Sequence, residues 1–83
     1  MLHYSVDHEL MSDLYRDYRQ IKGAEYEQIH ALGEHYLAIA QDYDLADSTM
    51  KSIQGLIRFQ TDEELESVET GIVHGYLTAK AAL

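Results

Sequence analysis

Apolar residues along this chain recur at three- and four-residue steps, which puts them on one side of a 3.6-residue period and predicts helices rather than strands. Over residues 6–22 the stripe is Leu10, Leu14, Tyr18 and Ile21, with Met11 and Tyr15 beside it. Ser5 is expected to cap the start, where its hydroxyl accepts from free backbone N–H groups, while Asp7 and Glu9 suit the positive end of the helix dipole. Gly23 marks a break or a kink. The most regular stretch, 24–43, carries Tyr26, Ile29, Leu32 or Gly33, Tyr36, Leu37, Ala40 and Tyr43 on its inner face. A shorter third helix, capped by Asp44 or Asp47, turns Met50, Ile53, Leu56 and Ile57 inward. Thr61-Asp62-Glu63-Glu64 reads as a capping box, in which Thr and the Glu three residues later satisfy each other's neighbouring backbone donors. A fourth helix starts there and runs through Leu65, Val68, Ile72, Tyr76 and Ala79 towards Leu83. With no proline, no internal repeat and no linker, the chain is expected to be one all-α domain over 1–83, a small helical bundle of three long helices plus one short helix.

Composition narrows the function more than the fold. At 83 residues, 46% apolar and 25% charged, the chain is an ordinary small globular protein with a thin core. The lack of cysteine removes disulfides, thiolate nucleophiles and Cys-based zinc sites, and fits a reducing, cytoplasmic location. There is no basic-then-apolar leader at the start and no run of 18 apolar residues, so no membrane contact is expected. Fifteen acidic residues against six basic ones give a formal charge of -9. That field disfavours direct contact with nucleic acid or an anionic membrane and favours a basic protein surface as partner.

Candidate chemistry is sparse. Glu27, His30 and Glu34 share one helix face, and Glu27-x-x-His30 has the local form used in di-iron carboxylate bundles. That architecture needs a second Glu-x-x-His, but Gly71 stands three residues before His74 and Leu32 three before His35. His30 is therefore expected to be a surface histidine among solvated acids, with no metal and no cofactor; His3 and His8, near the N-terminal end, are expected to be exposed. Ser5, Ser12, Ser48, Ser52 and Ser67 lack a glycine-flanked elbow, and Gly71-x-x-x-Gly75 lies inside a helix without the Lys-Thr or Lys-Ser of a phosphate loop. No catalytic residue is assigned and no enzyme is expected. Gly71, Gly75 and Ala79, with Ala82, instead form a strip of small side chains suited to close helix packing, either as a groove within the chain or as a homodimer seam. Six of the seven tyrosines, Tyr15, Tyr18, Tyr26, Tyr36, Tyr43 and Tyr76, fall on or beside the apolar stripes, so their rings should complete the core while hydroxyls reach its edge. Some of them would alternatively serve as exposed interface anchors.

The acids form rows. Glu9, Asp13 and Asp17 recur every four residues, a helical row with about 6 Å between steps, comparable to successive phosphates on a nucleic-acid strand. Asp62, Glu66 and Glu69 make a second row, and Glu25, Glu27 and Glu34 a third. Arg16 and Arg19 sit where they can neutralise part of the first. The profile of a tiny, acidic, helical, cysteine-free and motif-free chain resembles the inhibitors carried by phages and mobile elements, such as anti-CRISPR and anti-restriction proteins. That resemblance transfers no residues. It implies a non-enzymatic protein whose Glu9, Asp13, Asp17, Asp62, Glu66 and Glu69 dock on a basic, nucleic-acid-binding surface of a larger protein. The alternative is an adaptor that self-associates through Gly71, Gly75 and Ala79, with its acidity serving only solubility.

Overall fold

The computed structural model describes residues 2–82, with side chains over 7–81, and shows four helices and no strand among them. They are α1 (Leu2–Ile21), α2 (Tyr26–Ala40), α3 (Asp47–Arg58) and α4 (Asp62–Ala82). Each helix packs on its sequence neighbours, and α4 closes on α1. Met11 meeting Gly75 and Tyr18 meeting Glu69 run α1 and α4 antiparallel, and Gly33 against Leu56 with His30 against Phe59 does the same for α2 and α3. The result is an up-down-up-down bundle.

The core is assembled from one stripe per helix. Leu10, Met11, Leu14 and Tyr18 come from α1, Ile29, Tyr36 and Ala40 from α2, Ile53 and Leu56 from α3, and Ile72 and Ala79 from α4. Each large aliphatic among them contributes about 1.5–3 kcal/mol by leaving water. Phe59, just past α3 and three residues after Leu56, is buried as well and extends the stripe of that helix. Tyr43 departs from the expected pattern and is 51% exposed. The reason is local: α2 stops at Ala40, and the chain tightens into i to i−3 bonds, Asp42 N–H to the Ile39 carbonyl and Tyr43 N–H to that of Ala40.

The caps divide into local and distant ones. At α4 the capping box forms: the Glu64 N–H donates to Thr61 Oγ1 at 3.1 Å, and Glu64 Oε1 accepts from the N–H groups of Gln60 and Thr61. The expected cap of α3 by Asp44 or Asp47 is replaced, because Ala46 is the N-cap and Asp47 the first helical residue. The carboxylate comes from α1 instead, where Asp7 accepts the Ala46 N–H at 3.1 and 3.3 Å. At the other end of the order, α1 begins at Leu2, which places Ser5 inside the helix rather than at its cap; the side chains of Ser5, His3 and Ala82 lie outside the described residues.

Gly23 ends α1 with φ of 92°, a left-handed conformation that side chains disfavour. Gly33 is required for a different reason. A Cβ there would sit 2.9 Å from Leu56 Cβ and 3.2 Å from the Ile57 backbone nitrogen, so α2 and α3 are in backbone contact. The same addition at Gly75 meets only Met11 Cε, the end of a flexible side chain, at 2.6 Å. Gly33→Ala is therefore expected to lose about 1–3 kcal/mol in urea unfolding through overpacking. Gly75→Ala should stay within about 1 kcal/mol of the parent, since Met11 can swing away and alanine favours helix. Equal losses at both positions would contradict this packing.

Candidate functional site

The six acids of the two main rows do not share one fate. On α1, Glu9 is exposed and has no partner among the described residues, while Asp13 pairs with Arg16 at 3.1 Å. Asp17 lies 3.8 Å from Arg16 Nε and accepts the Tyr36 hydroxyl at 2.5 Å. On α4, Asp62 accepts the Tyr26 hydroxyl, and Glu69 accepts that of Tyr18 at 3.3 Å and pairs with Lys22 at 2.7 Å. Glu66 is exposed, and its carboxylate has no partner among the described residues. Asp17, Asp62 and Glu69 thus hold tyrosines of other helices in place, whereas Glu9 and Glu66 face solvent uncommitted.

Further free acids gather at the ends of the bundle. The Tyr26–Asp62 bond brings the starts of α2 and α4 side by side, so Glu25, Glu27, Glu63 and Glu66 stand exposed around one end with no partner among the described residues. Asp42, Asp44 and Asp47 occupy the opposite end, beside the α2–α3 connection. Acids at the first turns of α2, α3 and α4 also meet the positive helix ends, which offsets part of their mutual repulsion.

His30 corrects the expectation of a surface histidine. It is half-buried, its Nε2 lies 3.0 Å from the Phe59 carbonyl, and its ring packs on Phe59 at 4.6 Å. Glu27 and Glu34 remain exposed. Among the described residues no group of three or more histidines and carboxylates is placed to hold a metal ion. His8 is half-buried rather than exposed, and it lines a crevice of about 280 Å³ with His74, Ser52, Thr49 and Gly71. Gly75 lies against Met11 there and Ala79 is buried, so α1 already occupies most of the described small-residue strip, while Gly71 is exposed.

The sequence reading missed the opposite side of α1 and α4. Tyr15 and Tyr76 stack there with ring centroids 4.2 Å apart, and Arg16, Arg19 and Lys80 border them. Ser12, Tyr15, Arg16 and Arg19 do follow helical spacing, a signal in the chain for the α1 half of this seam. No helix among the described residues is long and apolar enough to cross a membrane. What the geometry defines is a four-helix bundle with acidic ends and one basic, aromatic seam. No family model, curated protein or solved structure matches the chain.

The tyrosine contacts make a pH prediction. Burial first, then the charge of Glu69, pushes the Tyr18 hydroxyl up to about 12. Tyr36 is raised further by burial and by its bond to Asp17. Unfolded tyrosine ionises near 10. A proton held more tightly in the folded state stabilises fully below pH ~10, and the contribution is lost as pH rises through about 12. Absorbance titration should show tyrosine ionising late, with the late component shrinking in Tyr18→Phe and Tyr36→Phe; ordinary titration of all tyrosines in the folded parent would refute the arrangement.

Proposed function

We propose that this chain is a non-enzymatic binding protein whose acidic faces dock on a basic, nucleic-acid-binding surface of a larger protein and block it. The observation that supports it most is the end of the bundle where α2 and α4 begin. Glu25, Glu27, Glu63 and Glu66 stand there without ion pairs among the described residues, on helices held by a capping box and an inter-helix tyrosine bond. Rigid placement matters because a charge fixed in space presents a pattern, whereas a mobile acidic tail presents only a cloud. The net charge of -9 then speeds encounter with a basic groove.

This narrows the acids that act. Glu9 and Glu66 of the two rows remain free to contact a partner, with Glu25, Glu27 and Glu63 joining them, while Asp17, Asp62 and Glu69 have a structural task. The self-associating alternative has less to stand on, since Gly75 and Ala79 are covered by the chain itself.

The test is capture of a partner by the immobilised protein, at low salt and at roughly 0.5 M, where charges are screened within a few ångström. The captured partner should be released by high salt and by competing duplex DNA. Charge reversal at Glu27, Glu63 and Glu66 together should reduce capture by about tenfold or more while leaving the helical signal unchanged. Capture that survives high salt and is indifferent to those reversals would sink the reading.

A further inference from the structure

On this acidic molecule the outer seam between α1 and α4 has the opposite sign. Arg16, Arg19, Lys22 and Lys80, four of the six basic residues, border it. Arg16 and Lys22 are paired with acids, but Arg19 and Lys80 hold no carboxylate among the described residues. The floor is aromatic and apolar. Tyr15 and Tyr76 lie nearly parallel, at 14° between planes, the Arg19 guanidinium is 5.7 Å from the Tyr15 centroid, and Val73 continues the floor. Beside it Leu77 is 56% exposed, an apolar side chain left uncovered. A hollow of about 660 Å³ at Tyr15, Tyr76 and Lys80 adjoins one of about 510 Å³ that shares Tyr15 and Arg19 and reaches Lys22.

We propose that this seam is a docking groove for an acidic amphipathic helix of a partner protein. The shape favours a helix: the lining runs from Ser12 to Lys22 along α1, about 15 Å at 1.5 Å per residue, or roughly three turns, and it is open along its length. Apolar residues of the incoming helix at i, i+3 and i+7 would rest on Tyr15 and Tyr76, Val73 and Leu77. The charge favours an acidic one, because Arg19 and Lys80 flank the floor with no carboxylate among the described residues to neutralise them. A nucleic acid strand suits the groove less well. Asp13, Asp17 and Glu69 lie on its border and would face a continuous row of phosphates, whereas a helix can place a few carboxylates opposite the cations alone. The groove meets the acidic end described above only at Glu66, which shares a hollow with Lys22, Val73 and Leu77, and the two tests substitute different residues, so either surface can fail without the other.

The test uses the full chain labelled with nitrogen-15 and a synthetic peptide of about four helical turns, with leucines at helical spacing and glutamates elsewhere. This peptide should shift amide signals over 12–22 and 73–80 and leave α2 and α3 unmoved; a version with lysine for each glutamate should not. Arg19→Glu with Lys80→Glu, both at exposed positions, should keep the helical signal and weaken binding by about tenfold or more. The proposal is overturned if the acidic peptide moves no seam amide, or if it binds the double variant equally well. It is also overturned if an oligothymidylate binds the same amides more tightly, or if sedimentation shows a homodimer that buries them.

Discussion

Tyrosine hydroxyls at the rim of the core, each donating to a carboxylate on another helix, are the constraint from which the remaining arrangement follows. A buried phenol that finds no acceptor costs the desolvation of its hydroxyl, whereas a bond to a charged acceptor contributes about 1.5–3 kcal/mol. Asp17 and Tyr18 are adjacent on α1 and therefore point about 100° apart. One accepts from Tyr36 of α2 and the other donates to Glu69 of α4, so a single turn of α1 is fastened to both of its neighbours. Tyr26 then ties α2 to the first residue of α4. Leucine and isoleucine stripes tolerate a slide of one helix along another; these directional bonds do not.

That device accounts for part of the acidity and separates it from the rest. Asp17, Asp62 and Glu69 stand in acidic rows, yet their carboxylates belong to hydrogen bonds between helices, part-buried at Asp17 and Glu69 and exposed at Asp62. Asp7 belongs there too, since it satisfies the N–H of Ala46 that no local side chain caps. Removing any of them would change packing first and surface charge second. Of the carboxylates that serve no such need, Glu25, Glu27, Asp47 and Glu63 lie where helices start, a position the dipoles make tolerable for anions.

Helix positions were legible in the chain because they rest on interactions within a few residues. The Thr61–Glu64 box was readable from spacing alone, and so was the stripe of Leu10, Leu14 and Tyr18. What could not be read depends on which helices pair and at what height. Leu32 and Gly33 both fit the inner face of α2; only the approach of Ile57 and Leu56 selects the glycine. The Asp7 cap spans 39 positions and the Tyr18–Glu69 bond 51, so no local pattern marks them. The acid rows were visible as spacing, while their division into structural and free members required the tyrosines of other helices. The seam needed the antiparallel meeting of α1 and α4 before Lys80 could join Arg16 and Arg19.

Net charge and local charge consequently act at different ranges. In physiological salt the screening length is about 8 Å, while the bundle is 36 Å along its longest axis. A distant macromolecule at low salt responds to the whole -9, which repels acidic partners and draws basic ones. Once two surfaces are within a few ångström, acids farther off than the screening length contribute little at the α1–α4 seam, and Arg19 and Lys80 set the sign felt beside Tyr15 and Tyr76. The same molecule can therefore approach as an anion and, on one side, bind as a cation. The stacked Tyr15 and Tyr76 let that side work without many charges, because they supply a rigid apolar floor whose ordering is already complete before anything docks.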